Sequence, residues 1–158
     1  MPTPRHQTLV DLVKQRFQSI RTANGYNTDL GLRVTFWRDL AAVNWQTEEL
    51  PAVNLRDRSA ECEQVMIGKQ EHTITFEADA ATKAANLDIE GRKILADIIK
   101  AIGVDRLWTD AGTGVQMAQD TLPRSWEMDV KASGTNVAFV RFTFTIRLRM
   151  ANFDPYTA

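Results

Sequence analysis

Between Val137 and Met150 the chain alternates almost without a break. Ala138, Val140, Phe142, Phe144, Ile146, Leu148 and Met150 are apolar, and Arg141, Thr143, Thr145, Arg147 and Arg149 stand between them. Successive side chains of a strand point to opposite faces, so this spacing predicts one long strand with a packed face and a wet face. Such a strand belongs in an antiparallel sheet. Its apolar face needs a covering layer, which the rest of the chain has to supply.

Two segments read as that layer. Thr3-Pro4 is a helix-start signal, and Leu9, Leu12, Val13, Phe17 and Ile20 then form one apolar stripe, with Gly25 as the exit. A second, longer helix is predicted from Ala80 to Ile102, with Ala84, Leu87, Gly91, Ile94, Leu95, Ile98 and Ile102 on one face and Gly103 as the stop. Gly91 within that stripe marks either a close approach to the sheet or a kink. Further strands are read at Leu30–Arg38, Leu50–Arg56, Glu61–Ile67, His72–Ala78, Val115–Ala118 and Trp126–Val130. Glu61–Ile67 and His72–Ala78 pair across Gly68-Lys69-Gln70, and Asp39–Glu49 is a long loop holding Trp45. The expected fold is α+β: a mainly antiparallel sheet with an N-terminal helix and a long second helix packed on it. Neither a linker nor an internal repeat interrupts residues 1–158, so one domain is expected.

Charge narrows the partners. Lys plus Arg number 19 against 20 for Asp plus Glu, which leaves no broad basic footprint for nucleic acid or an anionic membrane. Cys62 is the sole cysteine, so no internal disulfide forms, and it reads as a half-buried strand residue. No apolar run is long enough to span a bilayer and no signal-peptide core follows Met1, so synthesis and assembly in a cytoplasm are expected.

Residues that could carry chemistry are scattered. His6 and His72 have no joint metal-ligand spacing, no serine sits in a Gly-x-Ser-x-Gly turn, and Gly112-Thr113-Gly114 reads as a plain turn. Neither a cofactor nor a metal is expected. The one enzymatic alternative is a magnesium-dependent nuclease that gathers Glu61, Glu63, Glu71 and Glu77 from adjacent strands. Arg141, Arg147 and Arg149 form a basic strip, more often a subunit contact or a solvated edge than a nucleic-acid surface. Among the four tryptophans some should be core, while Trp45, between Asn44 and Gln46, is either core or a contact residue.

One further pattern lies between the first helix and the first strand: Gly25-Tyr26-Asn27-Thr28-Asp29-Leu30-Gly31, followed downstream by Leu50-Pro51-Ala52-Val53. With the helix ending in Ile20-Arg21, the His72–Phe76 strand, the long helix, the Trp108 region and the closing strand in this order, the chain resembles the tail terminator proteins of long-tailed bacteriophages. The resemblance implies a structural virion protein of the tail and neck, with no catalytic role. It implies a homohexameric ring that caps the tail tube protein, stops its polymerisation and joins the tail to the head connector. Genomic DNA would pass through its channel without specific binding. Such a ring needs a closing, heterologous interface, for which the candidates are Tyr26, Asp29, Trp45, Glu48, Arg141, Arg147 and Arg149. The nearer alternative is another neck component, a tail completion or head-closure protein, which would bind the portal or adaptor.

Overall fold

A computed structural model of the chain describes residues 3–38, 50–131 and 136–157. Helix α1 (Arg5–Gln18) leads to a short strand β1 (Val34–Phe36), then β2 (Ala52–Met66) and β3 (Lys69–Lys83). Helix α2 (Leu87–Gly103) precedes the last two strands, β4 (Asp120–Lys131) and β5 (Val137–Ala151). The strands form one five-stranded sheet in the order β1-β2-β3-β5-β4, parallel between β1 and β2 and antiparallel elsewhere. The fold is therefore α+β, as the patterning predicts.

The alternation in β5 does what its period requires. Ala138, Val140, Phe142, Phe144, Ile146 and Leu148 are buried in one core with Leu9, Val13 and Phe17 of α1 and Ile94, Ile98 and Ala101 of α2. Both helices thus cover the same sheet face. At the centre, the Phe144 ring lies 5.4 Å from Phe76, 6.1 Å from Phe142 and 6.3 Å from Phe17, within the range of favourable aromatic pairs.

Several boundaries differ from the sequence reading. Helix α1 is capped by Pro4 with no side-chain bond: Thr8 N–H donates to the Pro4 carbonyl at 3.0 Å, so Thr3 stands one residue too early to cap. The helix ends at Gln18, and Gly25 (φ +79°) instead closes a separate turn over Thr22–Asn24. The segment from Ala80 to Lys83 is not helical but the end of β3, because its backbone is paired with β5 throughout and, at Ala80 and Ala81, with β2 as well. Helix propensity gives way there to ladder bonds. Leu50–Arg56 and Glu61–Ile67 fall largely in one strand, β2, joined through a bulge between Asp57 and Ser59. Pro123 lies inside β4, tolerated because β4 is an edge strand with a bulge at Pro123/Ser125. Val115–Ala118 makes only an isolated bridge, Thr109 to Gln116.

Leu30–Leu32 is a 3₁₀ turn rather than the start of a strand. Gly31 N–H donates to the Ile20 carbonyl at 2.8 Å, which presses this turn onto the end of α1. Gly91 is resolved as a close approach: a Cβ there would lie 2.6 Å from Met128 Sδ of β4. The expected loop Asp39–Glu49, with Trp45 and Glu48, lies outside the described residues.

Candidate interaction surface

The Gly25–Gly31 segment is a clasp on α2. Asp97 of α2 is fully buried, and its Oδ1 accepts from Asn27 N–H (2.9 Å) and Asn27 Nδ2 (2.8 Å). Its Oδ2 accepts from Thr28 N–H and the Thr28 hydroxyl, both at 2.8 Å. Lys100, one turn further along, donates to the Gly25 carbonyl at 2.7 Å and lies 4.7 Å from the Tyr26 ring centroid. Asp29 turns back to accept from Thr22 N–H and its hydroxyl, both at 2.9 Å, and Leu30 is fully buried. Tyr26 and Asp29 are therefore occupied within the chain.

The sheet face opposite the helices is polar and cross-linked by ion pairs. Arg56 bridges Glu77 (3.2 Å) and Asp79, and Arg58 meets Glu77 at 2.9 Å. Arg141 donates to Asp79 at 2.7 Å, which with the neighbouring carboxylates holds its guanidinium above the ordinary value. Arg147 and Arg149 share Glu71 at 3.5 and 3.3 Å. The basic strip thus finds its carboxylates on the adjacent strand. The same pairing commits Glu71 and Glu77 to arginines, while Glu61 and Glu63 remain on the exposed outer strand. Among the described residues no three His, Cys, Asp or Glu side chains gather as a cation site.

Among the described residues β2 has only β3 beside it from Arg58 onward, because β1 pairs no further than Leu55. Residues 58–68 are all exposed, and the hairpin ends in Met66 (50 % exposed) and Ile67 (97 %). Asn152 N–H donates to the Gly68 carbonyl at 2.9 Å, which brings the exposed Phe153 to the same end. Cys62, expected to be half-buried, is exposed on this arm, with its Sγ 3.3 Å from His72 Nδ1. Burial, then the nearby His6, lower the His72 pKa, so the imidazole favours its neutral form and supplies no cation to the thiol.

The tryptophans divide. Trp108 is buried, donates to the Thr121 hydroxyl at 2.7 Å and carries the Arg16 guanidinium 5.0 Å above its ring. Trp37 and Trp126 are more than half exposed. A groove of about 330 Å³ opens beside Trp108, between Leu12, Gln15 and Arg16 of α1 and the 108–112 turn. Arg16, the only cation among its described lining residues, is already committed to Trp108, to the Ala101 carbonyl (3.1 Å) and to Asp105 (3.9 Å).

Two groups of titrating residues make stability depend on pH. Burial tends to raise Asp105, but the N–H groups of Thr109 and Leu107, the Thr109 side chain and Arg16 outweigh it and lower its pKa. Asp29, Asp110 and Asp154 are lowered chiefly by backbone N–H bonds from Thr22, Gly112 and Tyr156. A depressed folded-state pKa gives a contribution that is full above the unfolded value and lost as pH falls through the folded one. The same sign holds for His72, with its unfolded value near ~6.5 rather than ~3.9. The urea midpoint should therefore fall in two steps, a small one below about pH 6.5 and a larger one below about pH 4. His72→Gln should abolish the first step and leave the second. A single acid step in the unsubstituted chain would refute the assignment to His72.

The sequence reading missed Asp97, although its signal was present: an aspartate at helical spacing from Ile94 and Ala101, on the buried stripe of α2. The expected hairpin of Glu61–Ile67 with His72–Ala78 is present, but the reading missed that β2 runs on unbroken from Ala52 and is exposed from Arg58, where its core-facing alternation stops. Comparison with known protein families and with curated proteins returns no match.

Proposed function

We propose that this chain is an assembly protein of a bacteriophage tail, forming the ring that caps the tail tube and presents a new surface to the head connector. The observation that carries this reading is the β2–β3 arm. Its outer strand is exposed from Arg58 to Gly68 and ends in apolar side chains, while β3 stays paired with β5 as far as Lys69 and Ala151. A ligand-binding or catalytic site would draw its polar groups into a cleft. Here the polar groups of the sheet face neutralise one another and stiffen the base of the arm.

Support also comes from the order of elements and from the Gly25–Gly31 segment, which resemble those of tail terminators. Capping of this kind makes and breaks no bond. It depends on interface complementarity between unlike patches, closed by rotation into a homohexamer. Arg141, Arg147 and Arg149 already hold carboxylates of their own chain, so in this reading they brace the sheet, and the arm faces the tube. A net charge of −1 suits a channel through which DNA slides without counterion-driven capture.

The test is negative-stain imaging of the purified chain mixed with growing tail tubes of its own phage. Rings seated at one end, with elongation halted, are the expected result. Bare tubes that keep growing would refute the terminator role, and retention by the portal or adaptor instead would transfer the chain to the head side of the neck.

A further inference from the structure

We infer that the edge of β2 between Ser59 and Gln64, unpaired among the described residues, is a docking edge for an extended segment of another protein, one that carries lysine or arginine on alternate positions. The backbone comes first. Ser59 to Gln64 pair residue by residue with Thr75 to Gln70 of β3, in regular register between two bulges. Among the described residues nothing pairs with their other edge, and all six are exposed. A regular edge of this length is a template for strand addition unless it is guarded. Its counterpart at the far side of the sheet is guarded, since β4 carries Pro123 and a bulge. The stretch Ser59–Gln64 contains neither proline nor lysine.

What guards this edge is negative charge, and that charge selects the occupant. Directly opposed residues share a face, so Glu61 lies in a row with Thr73 and Arg147, and Glu63 in a row with Glu71 and Arg149. Glu71 takes both arginines, and no ion pair reaches Glu61 or Glu63 among the described residues. Glu63 stands opposite Glu71, whose charge the two arginines already balance, so among the described residues Glu63 is left without a cation of its own. A basic residue on an added strand would supply one. On the other face the edge presents Ala60 and Cys62, small enough to admit an apolar neighbour.

A second copy does not fit. Antiparallel pairing of this edge with itself about Cys62, the register that overlaps it most fully, sets Glu61 and Glu63 against the same two glutamates. The outer edge of β4 is no better, because Glu127 and Asp129 fall on the same face, opposite Arg141 and Phe139. The occupant is thus a different chain, and the inference stands whether or not the protein caps a tube.

A capped synthetic peptide of alternating lysine and valine, added to the full chain, tests this. Amide hydrogen exchange should slow across residues 59–64, and the peptide should bind at least about fivefold more tightly than its glutamate–valine counterpart. Glu61→Lys with Glu63→Lys, both on exposed positions, should reverse that preference. The same lysine peptide N-methylated throughout keeps its charge but cannot form a ladder, and it should not bind. Equal binding of the methylated peptide, or unchanged exchange at residues 59–64, would overturn the inference. Self-association of the unsubstituted chain with protection of residues 59–64 would overturn it in favour of a homotypic edge.

Discussion

Asp97→Ala should lower the stability of the fold by about 3–5 kcal/mol, the cost of leaving at least two buried donors without an acceptor. The carboxylate accepts four hydrogen bonds from two consecutive residues, Asn27 and Thr28, and the two from Thr28 are buried. Alanine removes all of these acceptors at once, and no water-exposed alternative exists for Thr28 N–H at 7 % exposure. Urea unfolding reads the effect as a shifted midpoint with an unchanged slope. Asp97→Asn keeps the shape but turns an NH₂ group toward donors, so it should cost roughly half as much. Thr28→Val in the Asp97→Ala background should cost far less than in the original chain, since the two residues share one network. A loss below about 1 kcal/mol for Asp97→Ala would mean that the clasp is not held by this carboxylate.

Gly31→Ala is the second large effect, expected at about 2–4 kcal/mol, at or above the upper range of core overpacking. A Cβ at Gly31 would lie 2.5 Å from the Gln18 carbonyl oxygen and 2.7 Å from that of Phe17. Both atoms are backbone at the end of α1, and they can retreat only if the helix does. Gly91→Ala provides the contrast. Its new methyl meets Met128 Sδ at 2.6 Å, the far part of a flexible side chain. Displacing it is offset by the ~1 kcal/mol that alanine gains over glycine in a helix. Thermal unfolding of the two variants should therefore separate them clearly, with Gly91→Ala close to the original chain. Equal losses would show that α1 can shift at little cost.

The two variants also show why the Gly25–Gly31 segment stands out in the sequence. Each of its residues has a task inside the chain: Tyr26 under Lys100, Asn27 and Thr28 on Asp97, Asp29 on Thr22, Leu30 in the core, Gly31 against α1. A pattern of that kind is legible as a tight turn, but its anchor lies about seventy residues away, and local spacing carries no trace of it. The arginines of β5 illustrate the same divide. Their shared face follows from period two alone. That Glu71 and Asp79 neutralise them depends on the β3–β5 register.

Periodicity was sufficient for the α+β class, the long closing strand, the buried stripe of α1 and the C-terminal four turns of α2, because each reflects which side of one element is apolar. It failed at Ala80–Lys83, where small residues suit helix and strand alike and ladder bonds to β2 and β5 decide. It also failed on β2, because a strand that loses its helical cover midway loses its alternation with it. Local order follows from the sequence wherever a face is buried. The clasp on Asp97, the neutralised arginine face and the exposed acidic row of β2 are decided only by the tertiary structure, because each is made by residues that the register brings together from distant parts of the chain.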